Sequence, residues 1–201
     1  MTPSNEKRQS LLIVLMIMLV LSACSGLTQS DKPVVTSWWL EPYISTAQAA
    51  PAEPSVTVAL TIKAVPGLDS DQILTLSSDA QLKPYSGARW VDHAPELLAS
   101  LLGRSMEADG RFEVLTERSG WGAEDCKLQL ELREFFADLN SAGNTTRVRL
   151  ALDGRYQCGS APAVEIRSAE QSVVNEERMS VIVATFQQAM NQVTKDILEQ
   201  L

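Results

Sequence analysis

One histidine, His93, and three cysteines are all the soft metal ligands in this 201-residue chain. A zinc site needs four such ligands close together, so this inventory argues against one. Basic residues are also scarce: 17 Lys and Arg stand against 25 Asp and Glu, a net charge of −8. That sign speaks against nucleic acid as a partner and against charge-driven docking on anionic lipid. No Gly-rich phosphate loop ends in Lys-Ser or Lys-Thr, so any nucleotide hydrolysis belongs to another subunit. No Gly-x-Ser-x-Gly elbow is present to expose a nucleophile, and neither a catalytic residue nor a cofactor site is read. Long hydrophobic runs are missing too. The longest, Leu11 to Leu21, has 11 residues, where a membrane-spanning helix needs about 20.

What the first 24 residues do contain is ordered like an export signal. Lys7 and Arg8 precede the apolar run, and small residues follow it. The ending Leu21-Ser22-Ala23-Cys24 is similar to the lipobox of bacterial lipoproteins, in which the thiol is diacylated and the chain is cut before it. Residues 1–23 are therefore read as a signal peptide and Cys24 as the lipidation site. Acyl chains at about 0.8 kcal/mol per buried CH₂ give lasting attachment. Ser25, in the place where retained lipoproteins usually carry Asp, resembles those sent to the outer membrane. Cleavage removes Glu6, Lys7 and Arg8, leaving 178 residues with 15 basic and 24 acidic side chains, a charge of −9.

Residues 24–35 read as the lipidated cysteine with a polar tether, whose span of roughly 20 Å keeps the domain near its leaflet. The remainder, 36–201, is long enough for one domain with a real core. Trp38-Trp39-Leu40 form an apolar island, expected as a strand or as a plug on the domain, with Trp38 and Trp39 the candidates for contact with membrane or partner. Thr46 to Pro54 reads as a loop.

Alternation at Val56, Val58, Leu60 and Ile62 predicts a half-buried strand stopped by Pro66-Gly67. Ile73 to Leu76 is a second, and Gln81 to Trp90 a third, made irregular or an edge strand by Pro84 and Gly87. Asp92 and Pro95 occupy N-cap and first-turn places for a helix with Leu97, Leu98, Leu101, Leu102 and Met106 on one face, ended by Gly110. Asp92 and His93 are read as helix-opening residues. Arg111 to Leu115 returns as a strand, followed by a loop around Trp121. The final helix runs from about Arg178, with Ile182, Phe186, Met190, Val193, Ile197 and Leu201 at steps of three and four. Glu176 and Glu177 precede it, where its dipole favours acids, and no other role is read for them. With a three-stranded meander before the last helix, the fold class is α/β (α+β). It is a two-layer sandwich in which a mixed, mostly antiparallel sheet carries two amphipathic helices on one face.

Within that meander, Lys127 to Leu139 and Arg147 to Gln157 form a hairpin around Asn140-Ser-Ala-Gly-Asn144. A turn centred on Ala142 places facing residues at numbers summing to 284. Leu128 then meets Tyr156, Leu132 meets Leu152, Phe136 meets Val148, and Cys126 meets Cys158. In an oxidising compartment an even pair of cysteines reads first as a disulfide, the alternative being two buried thiols.

These segments together resemble the ABC-type transport auxiliary lipoproteins, which include the lipoprotein of the paraquat-inducible (Pqi) system. The likeness runs from Trp38-Trp39-Leu40-Glu41-Pro42 through Val65-Pro66-Gly67-Leu68-Asp69, Gln72-Ile73-Leu74 and Tyr85 to Trp90. It continues over Asp92 to Leu102 and Gly110-Arg111-Phe112-Glu113-Val114. Ser70-Asp71 depart from the basic residue and Pro of that pattern, and the Cys126, Cys158 pair lies outside it. The resemblance implies a non-enzymatic lipoprotein at the periplasmic face of the outer membrane, with the inner membrane as the less favoured location. Its partners would be an MCE-type periplasmic protein and an inner-membrane ABC transporter that move lipid. A homo-oligomer would suit such a docking platform. The alternative is a periplasmic carrier or sensor that takes a lipid between sheet and helices, which needs an apolar cavity of several hundred Å³.

Overall fold

Strand and helix periods in the sequence resolve into eight strands and two helices in the computed structural model, which describes residues 34–45, 56–115 and 125–201. The expected signal peptide, Cys24, most of the tether, the Thr46 to Pro54 loop and Trp121 lie outside the described residues. The order is β1 (Thr36–Trp38), β2 (Val56–Ala64), β3 (Gln72–Leu76), β4 (Leu82–Trp90), α1 (Ala94–Asp109), β5 (Phe112–Leu115), β6 (Cys126–Leu139), β7 (Thr145–Cys158), β8 (Val164–Val173) and α2 (Met179–Gln200).

β6 is the axis of the sheet. Its outer edge pairs antiparallel with β7, and β7 with β8. Its inner edge takes two strands in tandem, both parallel: β2 beside residues 126 to 132, then β3 beside residues 136 to 138. The step from one to the other is a turn in which Leu68 N–H donates to the Val65 carbonyl at 3.1 Å. Gly67, at φ +94°, fills the third position of that turn, which other side chains rarely adopt. Beyond these, β4 pairs antiparallel with β3, β1 parallel with β4, and β5 parallel with β2. The sheet is thus mixed, and its longest registers are the antiparallel ones of the meander. β1 covers only residues 88 to 90 of β4; Pro84 and Gly87 fall in the uncovered half, where a missing N–H costs no ladder bond.

The hairpin register follows the 284 sum from Cys126↔Cys158 through Leu128↔Tyr156 to Leu132↔Leu152. There it shifts. Arg133 is bulged, so Phe136 faces Arg149 and Ala137 faces Val148, correcting the expected Phe136 to Val148 pair. The bulge sits where β2 has ended and β3 has not begun, so β6 lacks a parallel partner at that point and bends cheaply. One extra residue reverses the pleat. Phe135 turns into the core, while Phe136 lies under the guanidinium of Arg149, 4.6 Å from its ring centre. A second shift between Asp138 and Leu139 restores the sum at Leu139↔Thr145. Asn140 then closes the turn, its side-chain oxygen accepting from the N–H groups of Ala142 and Asn144 at 3.0 Å each.

Both helices pack on one face, α1 over β2 and β5, α2 over β7 and β8. The leucines expected on α1 and all of Ile182, Phe186, Met190, Val193 and Ile197 on α2 are buried, whereas Leu201 is half-buried. The centre is aromatic: Trp90 stacks on Phe135 and meets Phe186 edge-on, each at 5.2 Å between ring centres. The N-cap of α1 is His93 rather than Asp92, because the helix begins one residue later; Asp92 instead accepts the His93 N–H at 3.0 Å. Gly110, at φ +83°, ends the helix as expected. Among the described residues no helix is long and apolar enough to cross a membrane.

Candidate functional site

The apolar island divides by parity. Trp38 and Leu40 turn inward and Trp39 outward, so Leu40 is wholly buried while Trp39 stays 52 % exposed. Beyond Trp38 the chain leaves the sheet and lies across the helix layer. Gln187 of α2 grips Glu41 twice, accepting its N–H at 2.7 Å and donating to its carbonyl at 2.8 Å. Ser105 of α1 accepts the Tyr43 N–H at 2.9 Å. The island is therefore both a short strand and a plug, and residues of both helices hold it. Neither Gln187 nor Ser105 stands out in the sequence: one belongs to a polar helix face and the other interrupts a leucine face.

Trp38 pairs with Trp90 in the β1 to β4 register, which puts both indoles on the same face of the sheet. Their Nε1–H groups are buried and have no hydrogen-bond partner. Outside, Trp39 stands beside Val91, which is also exposed and whose N–H donates to the Trp38 carbonyl at 3.2 Å.

The loop after Gly67 is tied to the start of α1. The Ser70 carbonyl accepts the Ala94 N–H at 3.0 Å, and Asp69 approaches Nδ1 of His93 at 3.0 Å. The hydrogen bond to Asp69 raises the imidazole above its ordinary pKa, with smaller help from the charges of Asp69, Glu96 and Asp71. Asp69, His93 and Glu96 lie within 4.8 Å of one another, all exposed at the positive end of a helix. A cation there would oppose the helix dipole.

Glu177 does more than face a dipole. Its carboxylate accepts from the Thr145 N–H at 2.6 Å, the Thr145 hydroxyl at 3.0 Å and the Tyr85 hydroxyl at 2.8 Å. It thereby ties β7 and β4 to the entry of α2, whereas Glu176 pairs with Arg178. Burial first, then the bond to Glu177, pushes the Tyr85 phenol up. Cys126 and Cys158 close the far end of the hairpin as a disulfide, with Cα atoms 3.9 Å apart.

The helix-free face of the sheet is polar. A groove of about 540 Å³ crosses β2, β6, β7 and β8, lined by Lys63, Arg133, Asp153, Arg155 and Arg167 among others. Arg133 bridges Glu131 and Asp153 there, and Arg155 binds Gln129. Such a lining suits a hydrated surface rather than an acyl chain.

Comparison with known proteins agrees with this architecture. A crystal structure of a Xanthomonas campestris protein from the DUF330 family superposes with a TM-score of 0.61 at 20 % identity, covering 82 % of this chain and 92 % of that one. A second crystal structure, of an uncharacterized protein, gives 0.60 at 13 % identity over 80 % of this chain and 98 % of that one. At those identities the likeness speaks for the fold. No curated protein matches the chain. The family model for the ABC-type transport auxiliary lipoprotein component matches residues 40–198, which takes in Leu40, strands β2 to β8, α1 and α2 as far as Leu198. The chain belongs to the ABC-type transport auxiliary lipoprotein family.

Proposed function

We propose that this protein is a non-enzymatic component of an envelope lipid transport system of the ABC/MCE type, acylated at Cys24 and held at the periplasmic face of the outer membrane. It docks a periplasmic MCE-type partner there. The observation that carries the reading is the family match over residues 40–198 directly behind a lipobox-like Leu21-Ser22-Ala23-Cys24. The structure supports a role through surfaces. Its helix-covered core is filled by its own side chains, and its open sheet face is charged. The mechanism is positioning: the acyl chains fix the domain to the leaflet, and its exposed surface receives the partner. Trp39 and Val91, adjacent and exposed, offer an apolar contact next to the tether. Aromatic side chains at such a place favour a membrane interface or a partner's apolar patch.

Crosslinking in intact envelopes followed by purification of the lipoprotein tests this. An MCE-type protein should be recovered with the wild type, and recovery should fall with Cys24→Ala, which should also take up no labelled palmitate. Recovery of no transport component from wild-type envelopes would reject the docking role, and normal palmitate labelling of Cys24→Ala would reject the anchor.

A further inference from the structure

We infer that residues 169–173, on the outer edge of β8, take up an extended basic segment of the docking partner as an added strand of the sheet. The inference rests on the docking role for the identity of that partner alone. Three observations lead to it.

β8 is the long open edge of the sheet. It pairs with β7 alone, through ten residues in one register without a bulge. Folded proteins protect such edges by keeping them short or by placing Pro, Lys or a bulge on them. The other edges here follow that rule. β1 has three residues and β5 has four, the uncovered half of β4 carries Pro84, and the end of β2 beyond β5 carries Lys63. β8 contains no Pro, Gly or Lys.

Only one position of that edge is covered, and by a side chain. Val174 N–H donates to the Thr146 carbonyl at 3.0 Å, so by alternation the peptide groups of even-numbered residues face β7 and those of odd-numbered residues face outward. At Arg167 the Gln200 amide of α2 takes both outward groups, accepting the N–H at 3.2 Å and donating to the carbonyl at 3.1 Å. One side chain thus makes the bonds of a neighbouring strand. Among the described residues, no hydrogen bond reaches the outward N–H or carbonyl of Ala169, Gln171 or Val173. All three residues are exposed, Val173 by 69 %. A row of alternating outward N–H and C=O groups is matched by an extended peptide.

Side chains beside the edge set the sequence of that peptide. On the helix side, Glu170 accepts from the Ser172 hydroxyl at 3.1 Å, and Asp196 of α2 from the Ser168 hydroxyl at 3.3 Å. Among the described residues neither carboxylate forms an ion pair. On the open side, Ala169 and Val173 flank Gln171, which Arg147 holds at 3.2 Å. The occupant therefore places Lys or Arg opposite Glu170, and β-branched apolar residues opposite Ala169 and Val173.

The probe is a synthetic peptide with that pattern, acetyl-Thr-Val-Thr-Thr-Lys-Val-Thr-Thr-amide, laid antiparallel to β8. Its control is N-methylated at the three residues that face Val173, Gln171 and Ala169, which keeps the side chains and charge but removes the donors. Full chain in maltoside detergent is titrated with each while backbone amides are followed by NMR. The Ala169, Gln171 and Val173 amides should shift and exchange more slowly with the first peptide, and the control should bind at least about fivefold more weakly. Gln171→Pro removes an outward N–H and no bond to β7, so binding should fall at least about fivefold with cooperative unfolding retained. Gln200→Ala frees the Arg167 peptide groups for the last Thr and should tighten binding about fivefold. In envelopes, Gln171→Pro should lower crosslinked recovery of the MCE-type protein while palmitate labelling stays unchanged. Equal binding of the two peptides, unmoved amide signals, no gain in Gln200→Ala, or undiminished recovery with Gln171→Pro would each overturn the inference. Slow exchange of the three amides in the protein alone would overturn it too, since its own chain or a second copy would then cover the edge. Absence of an MCE-type protein from wild-type recovery rejects the docking role instead, and the peptide titration reads the edge independently of it.

Discussion

Replacing Glu177 by alanine should weaken the fold more than the loss of any surface acid. The carboxylate accepts three hydrogen bonds, and their surroundings differ. The Tyr85 bond is exposed, so water replaces it at little cost. The two bonds from Thr145 are part-buried, and Thr145 itself is only 6 % exposed. A charge-assisted bond to an N–H is worth about 1.5 to 3 kcal/mol and a hydroxyl bond about 1. Together they predict a loss of about 3 kcal/mol for Glu177→Ala, a large share of a typical total of 5 to 15. Glu177→Gln keeps one acceptor oxygen for the Thr145 N–H and an amide that can donate to its hydroxyl, so it should lose about 1 kcal/mol. Guanidinium unfolding of the full chain measures both, as a lowered midpoint with an unchanged slope. A Glu177→Ala loss below about 0.5 kcal/mol, the range of an ordinary surface change, would refute the reasoning. So would a glutamine variant as weak as the alanine one, since the bonds would then not be the cause.

Alkylation without reductant should leave Cys126 and Cys158 unmodified, and Cys158→Ala should cost about 3 to 4 kcal/mol, from a closed loop of 32 residues; two alkylated thiols in exported protein would contradict the bond. Gly154→Ala should destabilise by more than about 2 kcal/mol, because a Cβ there would overlap the Gln129 carbonyl in the neighbouring strand. A variant with a wild-type unfolding midpoint would show that β6 yields more easily than its pairing suggests. In Asp69→Asn the His93 imidazole should titrate at lower pH by NMR, having lost the carboxylate that raises it. A raised folded pKa makes this tie stabilising below about pH 6.5, with the contribution fading as pH rises through the folded value. An unchanged His93 midpoint would remove Asp69 as its partner.

Periodicity in the sequence was sufficient for both helices and for the alternating half of β2, because positions three or four apart, or two apart, must share a face whatever packs against them. The hairpin was legible for the same local reason: turn formers at Asn140 to Asn144 and alternating leucines on both arms select one register as far as Leu132↔Leu152. The lipobox, too, is a matter of contiguous residues.

Tertiary structure decided whatever depends on a neighbour distant in the chain. The tandem insertion of β2 and β3 beside β6 leaves a gap in pairing at Arg133, and that gap, absent from any local pattern, set Phe135 against Phe186 and left Phe136 buried beneath Arg149. Glu177 gained its role because Thr145 and Tyr85, 32 and 92 residues away, were brought to its carboxylate. Gln187 holds Glu41 across 146 residues. Side-chain alternation could place Leu40 inward, but only the convergence of two helices on that segment made it a plug. Contacts closed over such distances carry no sequence period, since the chain between them is free to vary as long as its ends meet.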